Sequence, residues 1–366
     1  MIGYRACNIP QVNAWILTQR ERRRHMKFGI FDHLDRSGAD LAEQYEHRLQ
    51  LIEDYEAAGF HAYHLAEHHS TPLGMAPSPA VFLAAVAQRT TRLRFGPLVY
   101  PLPLYHPLRI AEEIAMLDHM SRGRLEIGFG RGASQFEIEY FGVDPAEAKA
   151  RYEEGLEIVL AAMQTKSLTF EGKYHSFRGT PISLAPLQQP YPRIWYGASG
   201  PESAARAAAK SFNVASNAPV ALVKPMFDSY RAAWAALGHK PEALPLLGLN
   251  RHCVIAETDA DAQRIAERAY TMWHASFYHL WQLRGTRPNN AAYPDTFAKL
   301  QAAGYGIAGS PATVRDFYLR ETAEVGANYA MGRFAFGDLK LEESQRSVAL
   351  FKAHVMPALN EMGRAD

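Results

Sequence analysis

Glu67, His68 and His69 stand in a row at the end of a short, mostly apolar run, Phe60–Ala66, which Gly59 precedes. A carboxylate can hold a proton, and an imidazole can give or take one near neutral pH. The run reads as a strand covered on both faces, as in a parallel sheet. α/β folds place their chemistry beyond the C-terminal ends of such strands. An acid and two histidines at that place outweigh the plainer reading of a capping acid and two polar loop residues. In an extended segment Glu67 and His69 share one side and His68 takes the other.

Two further stretches could hold an anion. Gly128-Phe129-Gly130-Arg131-Gly132 also ends a strand-like run. Its G-x-G-x-G spacing is not the dinucleotide fingerprint, and no acidic residue ends a strand about 20 residues on. Glycines let a backbone approach an anion closely, and Arg131 can donate a bidentate pair to phosphate. A tight turn with a surface arginine is the alternative. In Ala198-Ser199-Gly200-Pro201-Glu202-Ser203, Ser199 or Gly200 can cap a helix that Pro201 begins. Free N–H groups at such a terminus bind phosphate, although capping alone would explain Ser199. Together the two stretches favour a phosphate-bearing ligand. His106, Arg109 and Glu112 fit a helix start with surface charges at least as well as a binding role. Trp195, Tyr196, Trp273 and Trp281 fit a core or an interface better than cofactor walls.

The elements that must position these residues alternate. Strands are expected at Phe28–Phe31, Phe60–Ala66, Leu93–Val99, Arg124–Phe129, Pro192–Ala198, Phe212–Ser216, Leu246–Ala256 and Asn328–Phe336. Helices are expected at Leu41–Ala58, Ala80–Gln88, Pro107–Met120, Glu147–Met163, Pro201–Lys210, Lys224–Leu237, Thr258–Leu280 and Leu341–Leu359. Eight alternations in one register make an α/β fold, a single (β/α)8 TIM barrel over residues 26–366. Two stretches are too long for plain connections. Ser167–Gln189, between the fourth helix and the fifth strand, carries short strands at Ser167–Phe170, Tyr174–Phe177 and Ile182–Leu184. Arg284–Gly304, before the eighth strand, is the candidate lid.

Composition sets the bounds. The 366 residues are 48% hydrophobic and 21% charged, as in an ordinary globular protein. A net charge of +1 argues against nucleic-acid or anionic-membrane partners. The two cysteines, Cys7 and Cys253, make neither a disulfide framework nor a metal-ligand spacing, so no metal is expected and the setting reads as a reducing cytoplasm. No apolar run approaches a membrane span. Residues 1–25, with Arg20, Arg22, Arg23 and Arg24 clustered, read as a disordered extension.

Taken together, Met26–Phe31, Leu65–His69, Gly96–Arg109, Leu117–Gly132, Ala198–Ser203 and Val355–Leu359 resemble the bacterial-luciferase-like, flavin-dependent monooxygenases. The resemblance spans Met26 to Leu359. It implies a cytoplasmic, homodimeric TIM barrel that binds reduced FMN from a separate NAD(P)H-flavin reductase. It further implies oxygen activation through a flavin C4a-(hydro)peroxide and insertion of one atom of O2 into a small organic substrate. Carried over by residue, His68 is the histidine near the flavin, beside Glu67 and His69. Arg131 and Arg151 serve the phosphate, with Gly132, Ser199, Gly200 and Ser203 around it. Leu98–Val99 is a non-prolyl cis peptide behind the isoalloxazine. The likeness stops at Gly130, where the luciferases carry a cysteine that protects the peroxide; other members lack it and still oxygenate. A deazaflavin (F420)-dependent hydride-transferring reductase on the same fold, or a non-catalytic flavin-binding protein, are the competing readings.

Overall fold

The computed structural model describes residues 26–287 and 293–365; the expected extension, 1–25, lies outside the described residues. The strands in chain order are β1 (Lys27–Asp32), β2 (Ala62–Leu65), β3 (Arg94–Pro97), β4 (Tyr100–Pro101), β5 (Glu126–Gly130), β6 (Ser167–Glu171), β7 (Ser176–Pro181), β8 (Arg193–Tyr196), β9 (Asn213–Ser216), β10 (Leu247–Ile255), β11 (Gly306–Gly309) and β12 (Tyr329–Arg333). Strands β3-β2-β1-β12-β10-β9-β8-β5-β4 form one path of parallel neighbours. Since β3 and β4 are two pieces of one barrel position, the path returns to its start. A parallel bridge between Phe95 and Leu125 ties β3 to β5 and closes the eight-position barrel.

Local chemistry explains these elements. All of β2 and all nine residues of β10 are buried; β2 is a short, mostly apolar run, and β10 carries Asn250, Arg251 and His252 between apolar ends. The first helix, Leu41–Ala58, begins at Asp40, whose carboxylate accepts from the amides of Ala42 and Glu43. It ends at Gly59, whose φ of 88° suits glycine. Inside the barrel, buried Glu126 accepts from Arg94 and Trp195 at 2.6 Å each. His64 bonds the Tyr329 hydroxyl at 2.9 Å. Burial pushes the His64 imidazole down to about 4. A Cβ on Gly96 would lie 1.7 Å from the Glu126 carbonyl, so glycine is what lets β3 close on β5.

The insertions differ in part from expectation. The first is a hairpin of β6 and β7, but Ile182–Leu184 forms no strand. The second holds more than a loop. Residues 288–292 of the expected lid lie outside the described residues, and the helix Phe297–Ala302 packs its Phe297 and Leu300 into the protein. Then come β11 and the helix Pro311–Val325, neither of which was expected. His252 pairs with Gly306 of β11 and with Arg333 of β12, so β11 takes the edge of β10 opposite β12. β9 pairs that same edge only over Leu247–Leu249. A short helix at Gln135–Tyr140 was also not expected.

Candidate functional site

The Leu98–Val99 peptide is cis, as the resemblance implies, and it separates β3 from β4. The glycines of β5 make room for it. A Cβ on Gly128 would sit 2.6 Å from the Pro97 carbonyl oxygen, and one on Gly130 2.4 Å from a Val99 methyl. These two glycines therefore serve packing between neighbouring strands. Gly132, at φ 97°, belongs to the loop beyond.

That loop borders a cavity of about 840 Å³ at the C-terminal mouth of the barrel, within the usual size of a ligand site. Its walls come from many strand ends. They include Glu67 and His68 after β2, Leu98 and Val99, Gly132, Ser199 and Gly200 after β8, and Arg333 at the end of β12. A second chamber of about 500 Å³ shares His68, Gly132, Ala133 and Glu137 with it, and holds Arg131 and Arg287. A separate cleft of about 650 Å³ at the other end of the barrel, around Lys27, Arg193 and Asn328, contains none of the expected site residues.

The three residues after β2 divide as their alternation requires. His69 Nε2 lies 2.8 Å from Glu67 Oε1, and the Tyr105 hydroxyl donates to Glu67 Oε2 at 2.7 Å. Burial raises the Glu67 carboxyl above its ordinary range, against the pull of these partners. His68 turns instead to Glu137, with Nδ1 3.1 Å from Oε1. A Cβ on Gly74 would meet the His68 Cβ at 2.8 Å, so glycine lets this loop fold against the histidine.

The expected phosphate residues are not all in one place. Ser199 and Gly200 line the large cavity. The Ser203 hydroxyl accepts from both their amides, at 3.0 and 3.1 Å, and donates to the Gly200 carbonyl at 2.8 Å, so it builds the loop from within. Arg131 faces the smaller chamber. Arg151 borders neither: it pairs with Glu147 at 3.2 Å, and its guanidinium lies 4.2 Å from the centre of the Tyr174 ring. Arg124, in the same Leu117–Gly132 stretch, is structural. It donates to the carbonyls of Ala87, Thr90, Leu93 and Ser121, tying loops beneath the barrel.

Sequence reading missed Glu137, Tyr105, His33 and Arg333. His33 lines the large cavity with its ring centre 5.5 Å from that of His68. Burial first, then Arg333, His68 and His252, push the His33 imidazole well down, so it is neutral. Arg333 had a signal, a charge inside the apolar run Asn328–Phe336. Glu137 had none, because its partner is far away in sequence.

Among the described residues, no group of three or more His, Cys, Asp or Glu could hold a metal, and no helix is long and apolar enough to cross a membrane. The sequence model of the luciferase-like monooxygenases matches residues 26–330. An uncharacterized protein, y4wF, of Sinorhizobium fredii is 41% identical over 90% of this chain and 96% of its own. The oxygenase component of the flavin-dependent trigonelline monooxygenase of Acinetobacter baylyi is 29% identical over 70% of this chain and 72% of its own. The crystal structure of the monooxygenase RslO1 of Streptomyces bottropensis superposes with a TM-score of 0.81 at 28% identity, covering 91% of this chain and 99% of that one. The match of the family model over most of the chain, on this barrel and around this cavity, makes the protein a member of the luciferase-like monooxygenase family.

Proposed function

We propose that the protein is an FMN-dependent oxygenase that takes reduced flavin from a separate NAD(P)H-flavin reductase. Reduced FMN supplies two electrons to O2, so that one oxygen atom enters a small organic substrate and the other leaves as water. The observation that carries this reading is the convergence of Leu98–Val99, His68 and Ser199–Gly200 on one cavity. The residues present fit the group. The cis peptide offers a flat backbone wall, and Ser199 and Gly200 stand at a helix start suited to phosphate. Arg131 faces the adjoining smaller chamber, which shares Gly132 with the large one, and is assigned to the same anion.

The chain's own work is then positioning and proton handling. Glu137 holds Nδ1 of His68, which leaves Nε2 to exchange protons with oxygen or substrate. Glu67, His69 and Tyr105 form a separate bonded set that stiffens the loop carrying His68. The apolar walls limit water, which would divert oxygen to hydrogen peroxide. A cytoplasmic homodimer is part of the proposal. Val81, Met116 and Met120 are exposed on the helices Pro79–Arg89 and Pro107–Met120 and suit a self-contact.

Oxygen uptake by the full chain with pre-reduced FMN, across aldehydes, ketones, alkanes and sulfonates, tests the reading. Substrate-dependent product formation without added NADH is expected. Rapid NADH oxidation by the protein alone, or binding of a deazaflavin with no oxygen consumption, would overturn it.

A further inference from the structure

Arg333 is a buried cation with no carboxylate in contact among the described residues. It is 3% exposed and lines the large cavity. The other buried arginines among the described residues each have a carboxylate. Arg251 has Glu321 at 2.7 Å, and Arg48 has Asp32 at 3.2 Å. Arg333 has none within ion-pair distance among the described residues. Its Nη1 lies 3.4 Å from Nε2 of His252, Tyr293 bonds to it, and its Nε has no partner. Its guanidinium lies 4.7 Å from the centre of the Phe31 ring and 5.8 Å from that of Trp273. Asp35 acts on it only through space, and that carboxyl is itself buried and bonded to the Gly337 amide.

A guanidinium held by aromatic faces and neutral imidazoles keeps its full charge in a poorly solvated place. Such a group is costly unless something compensates it. Among the described residues only the Tyr293 bond and the more distant Asp35 offset it, with no carboxylate in contact, and Arg333 borders the cavity. The geometry points to a ligand that brings the missing anion. Arg333 lines the cavity, and a planar guanidinium matches the two oxygens of a carboxylate. Phe31, Phe277 and Tyr293 line the same cavity and suit a flat apolar body. We infer that Arg333 is a specificity-determining residue and that the substrate is an organic carboxylate with a planar apolar body. This rests on the oxygenase reading above, which puts substrate and flavin in one cavity.

The test uses the full chain, with benzoate as probe and benzamide as its neutral, equally shaped control. FMN affinity is measured first, by quenching of flavin fluorescence, in wild type, Arg333→Gln and Arg333→Lys. Benzoate and benzamide are then titrated calorimetrically, with and without saturating FMN. In wild type, benzoate should bind at least about 10-fold more tightly than benzamide. Arg333→Gln should weaken benzoate by about 10- to 100-fold, as loss of a charge-assisted bond does, and leave benzamide unchanged. Arg333→Lys should retain part of the preference, and FMN affinity should change less than about twofold. Equal binding of the two probes by wild type overturns the inference. So does an Arg333→Gln variant that loses FMN affinity and keeps benzoate, which would assign Arg333 to the flavin. Circular dichroism checks folding, and if neither variant folds, the wild-type ratio of the two probes decides. A wild type that prefers benzoate but binds no FMN would sink the flavin reading and leave Arg333 as an anion site.

Discussion

Glu137→Gln isolates what the carboxylate does for His68. The amide has nearly the same shape, so the 3.1 Å contact can persist while its charge is lost. Both side chains are largely buried, at 13% and 7% exposure, so solvent screening does not erase the effect. A hydrogen bond to a charged partner contributes about 1.5–3 kcal/mol, against about 0.5–1.5 for a neutral one. The difference, about 1–1.5 kcal/mol, is close to a tenfold effect. Product formed per bound reduced FMN in a single turnover should therefore fall about tenfold, with the consumed oxygen appearing as hydrogen peroxide. His68→Ala should cost about 100-fold or more, the usual worth of a positioned acid or base. His69→Ala should be milder, because His69 is occupied by Glu67. FMN affinity should stay within about twofold in all three. If Glu137 acts through His68, the double variant should be no worse than His68→Ala alone. A further tenfold loss in the double variant would refute that coupling, and normal coupling in His68→Ala would refute its proton role.

Arg131→Ala should weaken FMN by roughly 10- to 100-fold and leave riboflavin almost unaffected; equal losses in fluorescence titrations would place Arg131 away from the phosphate. Gly130→Cys should destabilise by about 1–3 kcal/mol, because its Cβ would sit 2.4 Å from a Val99 methyl, and Val99→Ala in the same chain should restore the urea midpoint. Destabilisation without rescue would show that contact with Val99 is not its cause. Asp35 gives a pH effect. Burial pushes its carboxyl up to about 7 from the ordinary 3.8. An acid raised in the folded state favours folding below its unfolded value, and that advantage is lost as pH rises from 3.8 towards 7. Relative to Asp35→Asn, wild type should lose up to about 1.4 kcal/mol per pH unit across that window. Urea midpoints that stay parallel from pH 4 to 8 would refute it.

The barrel was legible because its signals are local. Continuous apolar runs, and Gly59 between a helix and a strand, are read within a few residues. The helix Pro311–Val325 carries a legible signal although it was not expected. Its buried Val314, Phe317, Tyr318, Glu321, Thr322 and Val325 follow helical spacing, and Gly326 ends it. β11 carries a weaker signal, since Gly306-Ile307-Ala308-Gly309 is short and half glycine. At the site, the alternation of Glu67, His68 and His69 could be worked out from strand geometry. The partners could not. Glu137 reaches His68 from 69 residues away, and His33 nears it from just beyond the end of β1.

The G-x-G-x-G stretch shows why residue type alone misleads at such a site. Glycine before an arginine invites an anion, yet Gly128 and Gly130 face the neighbouring backbone and Val99. Their absence of side chains lets β5 lie against the Leu98–Val99 wall, while Gly132 alone of the three borders the cavity. Arg124, six residues before Gly130, fastens loops at the far end of the barrel. A single stretch thus carries a base clamp, a packing surface and a cavity edge in succession along one strand. A side chain at position 130 would meet a Val99 methyl at 2.4 Å, so Gly130 and Val99 have to be read as a pair.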